Sequence, residues 1–176
     1  MTAIARLSAE ELLAASGQFA ELLMDVVDGG ASLGFLAPLA PADAAAWWES
    51  LAPAVDDGQL RVWAAQEGGR VVGTVSLRPE LKANGRHRAE VTKLMVHRDA
   101  RGRGVARRLL AAVEGAAAET GLSLLVLDTE TGSPAERLYR AAGWTQAGIV
   151  PGYASDPAGV LRPTTIYFKA LMTSRP

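Results

Sequence analysis

Residues 89–106, AEVTKLMVHRDARGRGVA, decide the fold that the sequence predicts. Residues 90–96 have the apolar and β-branched content of a strand, and a short turn follows them. A helix then begins near Val105, because apolar residues recur from there at helical spacing. A strand, a glycine-bearing turn and a helix in this order predict an anion site. Glycine allows close backbone approach, and free N–H groups lie at the start of a helix.

The arginines in and beside this turn indicate what kind of anion it binds. An arginine run alone is more often a solvated face, and nucleic-acid binding would also use one. The glycines within the run, at a junction between strand and helix, favour a ligand rich in phosphate instead. The five arginines are Arg98, Arg101, Arg103, Arg107 and Arg108.

The composition limits the class of protein. The chain has 176 residues and a formal charge of −1, so nothing global attracts it to nucleic acid or to an anionic membrane. It has no cysteine, which excludes disulfides, thiolate catalysis and cysteine-based zinc sites. No long apolar run or leader segment is found. We expect one domain over residues 1–176, cytoplasmic, with no membrane partner, no nucleic acid and no metal site.

The order of predicted elements indicates an α/β fold with a mixed sheet of six to seven strands and about four helices. Strands at 60–66, 70–77 and 90–96 form an antiparallel meander. The strand at 123–129 follows a helix, so we expect a parallel crossover, and its nearly continuous apolar run predicts burial on both faces. The other strands are predicted at 3–7, 145–150 and 164–171, and the helices at 8–28, 41–51, 105–121 and 131–143.

Two nucleotide motifs compete for the glycine turn. A Walker A loop would need lysine and then serine or threonine after the last glycine, which the sequence lacks. A dinucleotide fingerprint fits Gly102 and Gly104 but has Arg107 in place of the third glycine. Asp128, near the end of the next strand, would suit a ribose contact. An NAD-binding oxidoreductase is therefore kept as an alternative.

A third motif matches at every specified position. Residues 101–106, RGRGVA, fit [Q/R]-x-x-G-x-[G/A], and residues 135–144, AERLYRAAGW, fit A-x-x-L-Y-x-x-x-G-[F/W]. Both segments, and the order of elements, resemble the GNAT superfamily of acyl-CoA-dependent N-acetyltransferases. The segment LDTETGSPAERLY, residues 127–139, and the later segment PGYA, residues 151–154, resemble the branch that contains tabtoxin resistance protein.

The resemblance implies acetyl-CoA as cosubstrate. Its pyrophosphate would bind the turn and its pantetheine arm would pair with the preceding strand. Ser133 stands beside Gly132, the position at which many members have a cofactor-contacting asparagine, and the contact could either pass to this serine or be absent. The implied cofactor-binding residues are Leu94, Met95, Val96, Arg101, Gly102, Arg103, Gly104, Val105, Ala106, Arg107 and Ser133.

Three residues are candidates for catalysis. Tyr139 matches the family tyrosine that protonates the CoA thiolate, although its helical face alone would make it a core residue. Glu90 matches the general base of the family's histone acetyltransferases. Asp128 lies in an apolar run, where an unpaired carboxylate is costly. It could bind or deprotonate the acceptor ammonium, or simply cap the following turn.

The acceptor is predicted to be a small amine, such as an amino acid derivative, an antibiotic or a toxin. Residues 31–41 form either a connection or a lid, and Phe35 and Trp47 are the candidate acceptor contacts. Of Trp47 and Trp48, one is expected in the core. The alternatives are a protein or peptide amine as acceptor, and a CoA-binding module without activity. The chain is expected to be a monomer or a homodimer.

Overall fold

Residues 1–172 are described by the computed structural model, and their strands join in one mixed sheet. The strands are β1 Ala3–Arg6, β2 Arg61–Glu67, β3 Arg70–Pro79, β4 Arg88–Val96, β5 Leu124–Glu130, β6 Thr145–Ser155 and β7 Leu161–Ala170. The helices are α1 Ala9–Ala14, α2 Ser16–Asp28, α3 Pro41–Glu49, α4 Ala52–Asp56, α5 Val105–Glu119 and α6 Pro134–Ala141.

The sheet combines an antiparallel meander with a parallel crossover, as predicted. Its strand order is β1-β2-β3-β4-β5-β7-β6. β4 and β5 pair in parallel, with α5 as the crossover, and the other neighbours in the sheet are antiparallel. The predicted fold class is therefore confirmed, with seven strands among residues 1–172.

The first predicted helix is broken into two. Its start is a capping box, in which the Glu11 N–H donates to Ser8 Oγ at 3.1 Å and the Ser8 N–H donates to the Glu11 carboxylate at 2.7 Å. The break falls at Ala15, with φ −99° and ψ 5°. α1 then packs on α4, which the sequence analysis left unassigned, whereas α2 packs on β3 and β4. Two helices, residues 9–14 and 16–28, replace the single helix predicted over 8–28, and that prediction is wrong.

β5 is buried on one face only. Leu125 and Leu127 are buried in the apolar cluster beneath α5 and α6, while Leu124 and Val126 are partly exposed. In the part of the chain described, the buried cluster beneath α2 and α3 takes residues from β2, β3 and β4 but none from β5. The prediction of burial on both faces is wrong, because those helices end above β4.

A cleft opens between β4 and β5. The two strands pair only where residues 88–90 lie beside residues 124–126. β4 then continues to Val96 beside β3, and β5 continues to Glu130 beside β7. The strands therefore separate towards the end of β4 that leads into the glycine turn.

A bulge in β4 changes which side chains face this cleft. Between the partners of Thr74 and Ser76, β4 has one residue more than β3. The backbone of Lys93 is left-handed there, with φ 53°. The alternation of side chains shifts, so Val91 and Leu94, three positions apart, both pack towards α5. Lys93 is thereby directed to the face of α2 and α3.

Candidate active site

The glycine-arginine turn, residues 101–104, has the backbone that an anion site needs. Gly102 and Gly104 have φ of 73° and 76°, a left-handed conformation that other residues rarely adopt. α5 begins directly afterwards at Val105, with no side chain capping its N-terminus. Its first N–H groups have no partner inside the helix and add partial positive charge. The turn therefore fits a pyrophosphate.

Two of the five arginines are free to bind such a ligand. Arg101 uses Nε to donate to the Val96 carbonyl at 3.0 Å, which leaves its terminal nitrogens available. Arg107 is exposed and has no hydrogen bond or ion pair to the other residues of 1–172. The remaining three are held by protein groups: Arg98 by Asp25, Arg103 by Glu67 at 3.0 Å, and Arg108 by the Thr2 carbonyl at 2.7 Å.

Gly73 in β3 positions the start of α5, a role that the sequence analysis missed. A Cβ at Gly73 would lie 3.0 Å from the Met95 carbonyl oxygen, 3.1 Å from Leu109 Cδ1 and 3.3 Å from Val105 Cγ1. Glycine thus lets the helix lie directly against the strand. The only signal in the sequence was an isolated glycine in a strand pattern, which indicates a close approach without saying to what.

The predicted pantetheine contacts, Leu94, Met95 and Val96, lie where β4 has left β5. β3 occupies one edge of this segment, and no β5 residue pairs with the other. An unpaired strand edge presents N–H and C=O groups to an extended partner. The edge fits a ligand arm that carries amides.

Tyr139 lies in α6 and is 6% exposed. Its ring centroid is 5.8 Å from that of Trp144 and 6.4 Å from that of Tyr167. Within residues 1–172 its hydroxyl makes no hydrogen bond. Burial raises the pKa of the phenol, and the negative charge of Asp128 raises it further. Tyr139 is therefore a core residue with an unused hydroxyl.

Glu90 and Asp128 lie on either side of the point where β4 and β5 separate. Glu90 is the last β4 residue paired with β5, and Asp128 is two residues beyond its partner Val126. Burial raises the pKa of the Glu90 carboxyl, and the charge of Asp128 raises it further. Asp128 also raises the pKa of Tyr139, so it lies within electrostatic reach of both other predicted catalytic residues.

Asp128 differs from its prediction in two ways. It is exposed, because that face of β5 is uncovered, so the cost of burying a carboxylate does not apply. Nor does it cap the following turn. Its carboxylate makes no hydrogen bond to the described residues, and Ser133 caps α6 instead. The structural-cap interpretation is wrong.

Ser133 is engaged in this cap, and its contact with a cofactor stays a prediction. Its Oγ accepts the Glu136 N–H at 3.1 Å and lies 3.3 Å from Thr129 Oγ1. Glu136, only 4% exposed, accepts the Gly132 N–H at 2.6 Å and the Tyr167 hydroxyl at 3.0 Å. This carboxylate fixes the turn before α6. Its role was not predicted from the sequence, although the Ser-x-x-Glu spacing was a signal.

Phe35 and Trp47, the predicted acceptor contacts, pack edge to face with ring centroids 5.1 Å apart. Lys93 joins them, with Nζ 5.5 Å from the Phe35 centroid and 5.4 Å from that of Trp47. Nζ also donates to the Leu33 carbonyl at 2.6 Å. Trp48 is the core tryptophan, fully buried, as expected for one of the pair. Lys93 was missed, because its position depends on the bulge.

Comparison with known proteins identifies the class. The sequence profile of the acetyltransferase (GNAT) family matches residues 32–144, more than half of the chain. The chain therefore belongs to the GNAT acetyltransferase family. This membership confirms the predicted resemblance, the N-acetyltransferase class and acetyl-CoA as the cosubstrate.

Several solved structures share the fold over nearly their whole length. An N-acetyltransferase from Staphylococcus aureus Mu50 has a TM-score of 0.79 at 18% identity, covering 98% of this chain and 99% of that one. The ribosomal-protein-alanine N-acetyltransferase from Brucella melitensis gives 0.75 at 24%, covering 96% and 99%. yncA from Salmonella typhimurium, solved with its cofactor acetyl-CoA, gives 0.75 at 20%, covering 100% and 97%.

Other classes of site find little support. The glycine turn follows an antiparallel meander instead of opening a parallel sheet, so the NAD alternative is not supported. No three His, Asp or Glu side chains among residues 1–172 are grouped so as to hold a metal ion. None of the described helices combines the length and hydrophobicity needed to cross a membrane.

Proposed function

We propose that this protein transfers the acetyl group of acetyl-CoA to the amine of a small molecule, by direct attack of the amine on the thioester. The grouping of Glu90, Asp128 and Tyr139 where β4 and β5 separate is the observation that supports this most. Amine acetylation needs a group that removes a proton from the nucleophile and one that protonates the leaving thiolate. A carboxylate and a phenol beside one cleft meet both needs.

The donor would bind through two parts of the chain. The backbone N–H groups of residues 102–107 would hold the pyrophosphate, and Arg101 and Arg107 would neutralise its charge. Leu94, Met95 and Val96 would pair with the pantetheine arm like an added strand. The uncapped start of α5 and the unpaired edge of β4 support this arrangement.

Glu90 is the proposed general base. An alkylamine is protonated at neutral pH and must lose a proton before its nitrogen can attack. The raised pKa of Glu90 makes its carboxylate a better proton acceptor. Asp128, exposed beside it, would attract the acceptor ammonium and help to keep that pKa high.

Tyr139 is the proposed acid. Its raised pKa keeps the phenol protonated across the neutral range, as a donor to the departing thiolate requires. The thiolate takes this proton to become the CoA thiol, and the phenolate regains one from solvent. Counted from the ammonium, the nitrogen loses one proton to Glu90 before it attacks and a second one, to solvent, as the C–S bond breaks and the amide forms.

A small acceptor suits the packing of residues 31–41. Phe35 in this loop contacts Trp47 of α3, which favours a closed pocket over an open peptide groove. The alternative is a protein or peptide amine, the acceptor named for the Brucella structure. The tabtoxin-resistance branch, a resistance role, a cytoplasmic location and a monomeric or homodimeric state remain predictions.

Thermal shift with acetyl-CoA, CoA, NAD and ATP, followed by an amine panel, tests the proposal. A ligand at a hundred times its Kd adds about 2.7 kcal/mol to stability. We expect stabilisation by acetyl-CoA and CoA alone, and acetylation of small amines in preference to peptides. Stabilisation by NAD, or binding of acetyl-CoA without acetylation of any amine or peptide, would contradict it.

A further inference from the structure

Lys93 is a partly buried cation with unused hydrogen-bond donors. Its ammonium donates to one acceptor atom, the Leu33 carbonyl oxygen, and the rings of Phe35 and Trp47 flank it. None of the ion pairs among residues 1–172, defined by an N–O distance of at most 4.0 Å, includes its Nζ. An ammonium has three N–H donors, and a desolvated charge is costly without an opposite charge. The position therefore favours an anionic ligand.

The charges around Lys93 are of both signs. Arg78 of β3 pairs in register with Glu90, and both act electrostatically on Lys93, as Asp128 also does. The carboxylates suit an acceptor ammonium, whereas Lys93 and Arg78 would repel one. A simple amine would be attracted only by the two carboxylates. A molecule with a positive and a negative group would be attracted both by the carboxylates and by the two cations.

We propose that Lys93 binds a carboxylate of the acceptor, so that the substrate is a small zwitterion whose amine is placed at Glu90. Phe35 and Trp47 would then pack on the apolar part of the same molecule. This inference rests on the proposed function, because it assumes acetylation of an amine at Glu90.

Matched acceptors provide the first test. Acetylation of the standard L-amino acids is compared with that of the corresponding amines that lack the carboxylate, such as L-leucine with 3-methylbutylamine and L-phenylalanine with 2-phenylethylamine. A hydrogen bond to a charged group is worth about 1.5–3 kcal/mol. For the amino acid that is the best substrate, kcat/KM should therefore exceed that of the matched amine by about tenfold or more. This comparison uses the wild-type protein alone.

A variant separates charge recognition from loop packing. Lys93→Met keeps the length of the side chain and removes its charge, and Lys82→Met is the control at an exposed lysine. We expect Lys93→Met to lose about tenfold in kcat/KM for the amino acid, mainly through KM, and little for the matched amine. Lys93→Asn, which tolerates the left-handed backbone, is the second variant if the first does not fold.

Three results would overturn the inference. They are equal losses for both acceptors in Lys93→Met, a wild-type preference for the amines without carboxylate, and no turnover of either set while peptides are acetylated. Failure of the proposed function gives a different result, in which acetyl-CoA does not stabilise the protein or no amine of any kind releases CoA.

Discussion

Tyr139 can be tested by removing a single oxygen atom. Tyr139→Phe keeps the ring beside Trp144, so stability and acetyl-CoA affinity should change little. Loss of the proton donor should lower kcat by about 10²-fold or more, measured at saturating substrates. Tyr153→Phe, at a tyrosine that is 55% exposed, is the control and should keep full activity. An unchanged kcat in Tyr139→Phe would refute its role as the acid.

The pH profile of kcat/KM tests the coupling between Glu90 and Asp128. The base must be ionised, so activity should rise with pH through the raised pKa of Glu90. Asp128→Asn removes a negative charge that opposes ionisation. The pKa of Glu90 then falls, and the acidic limb should move to lower pH. Asp57→Asn, at an exposed position, should leave the limb in place. A limb that does not move in Asp128→Asn would contradict the coupling.

Single residues were predictable where a motif specified them. Glu90 and Tyr139 came from short segments that match a family pattern, and the structure places Asp128 within electrostatic reach of each of them. Lys93 had no such signal, because the face it points to is set by a bulge in the pairing of β4 with β3. The exposure of Asp128 could not be predicted from the sequence either, since it depends on which helices cover β5.

At the scale of elements, the start of α5 is tested through Arg107. Its side chain makes no hydrogen bond or ion pair to another described residue, so Arg107→Gln should change stability little. If it binds phosphate, the KM for acetyl-CoA should rise about tenfold, while kcat at saturation is unchanged. Arg86→Gln, at an exposed arginine, serves as the charge-matched control. Equal KM values in all three proteins would exclude Arg107 from the cofactor site.

Gly73 tests the packing of α5 on β3. In Gly73→Ala the added Cβ meets Leu109 and the Met95 carbonyl, so the free energy of unfolding should fall by about 1–3 kcal/mol. Gly115→Ala provides the opposite case, since it lies in α5 with nothing within 4 Å. That change should stabilise by about 0.5–1 kcal/mol. Urea unfolding measures both, and equal effects would contradict the close approach.

Elements with local signals were predicted well, and those set by distant contacts were not. The Ser8 capping box, the glycine turn and the crossover helix each depend on neighbouring residues. The break at Ala15 lies where the main packing partner changes from α4, for α1, to α3, for α2. The half-exposure of β5 arises because α2 and α3 do not extend over it. Neither contact can be inferred from the local sequence.

At the scale of the molecule, the residues proposed to bind acetyl-CoA and those proposed to bind the acceptor lie on opposite faces of the sheet. Val105 at the start of α5 belongs to the apolar cluster on one face, and Phe35 and Trp47 border the cluster on the other. The cleft between β4 and β5 connects the two faces. If the two proposed sites are correct, both substrates can be bound together, and this arrangement favours direct attack over a covalent acetyl-enzyme.

Initial-velocity kinetics test this central claim most directly. CoA release is measured while acetyl-CoA is varied at several fixed concentrations of the best acceptor from the amine and amino acid panel. A ternary complex predicts double-reciprocal lines that intersect, and one N-acetyl product for each CoA released. Parallel lines, the pattern of a ping-pong reaction through an acetylated enzyme, would contradict the account.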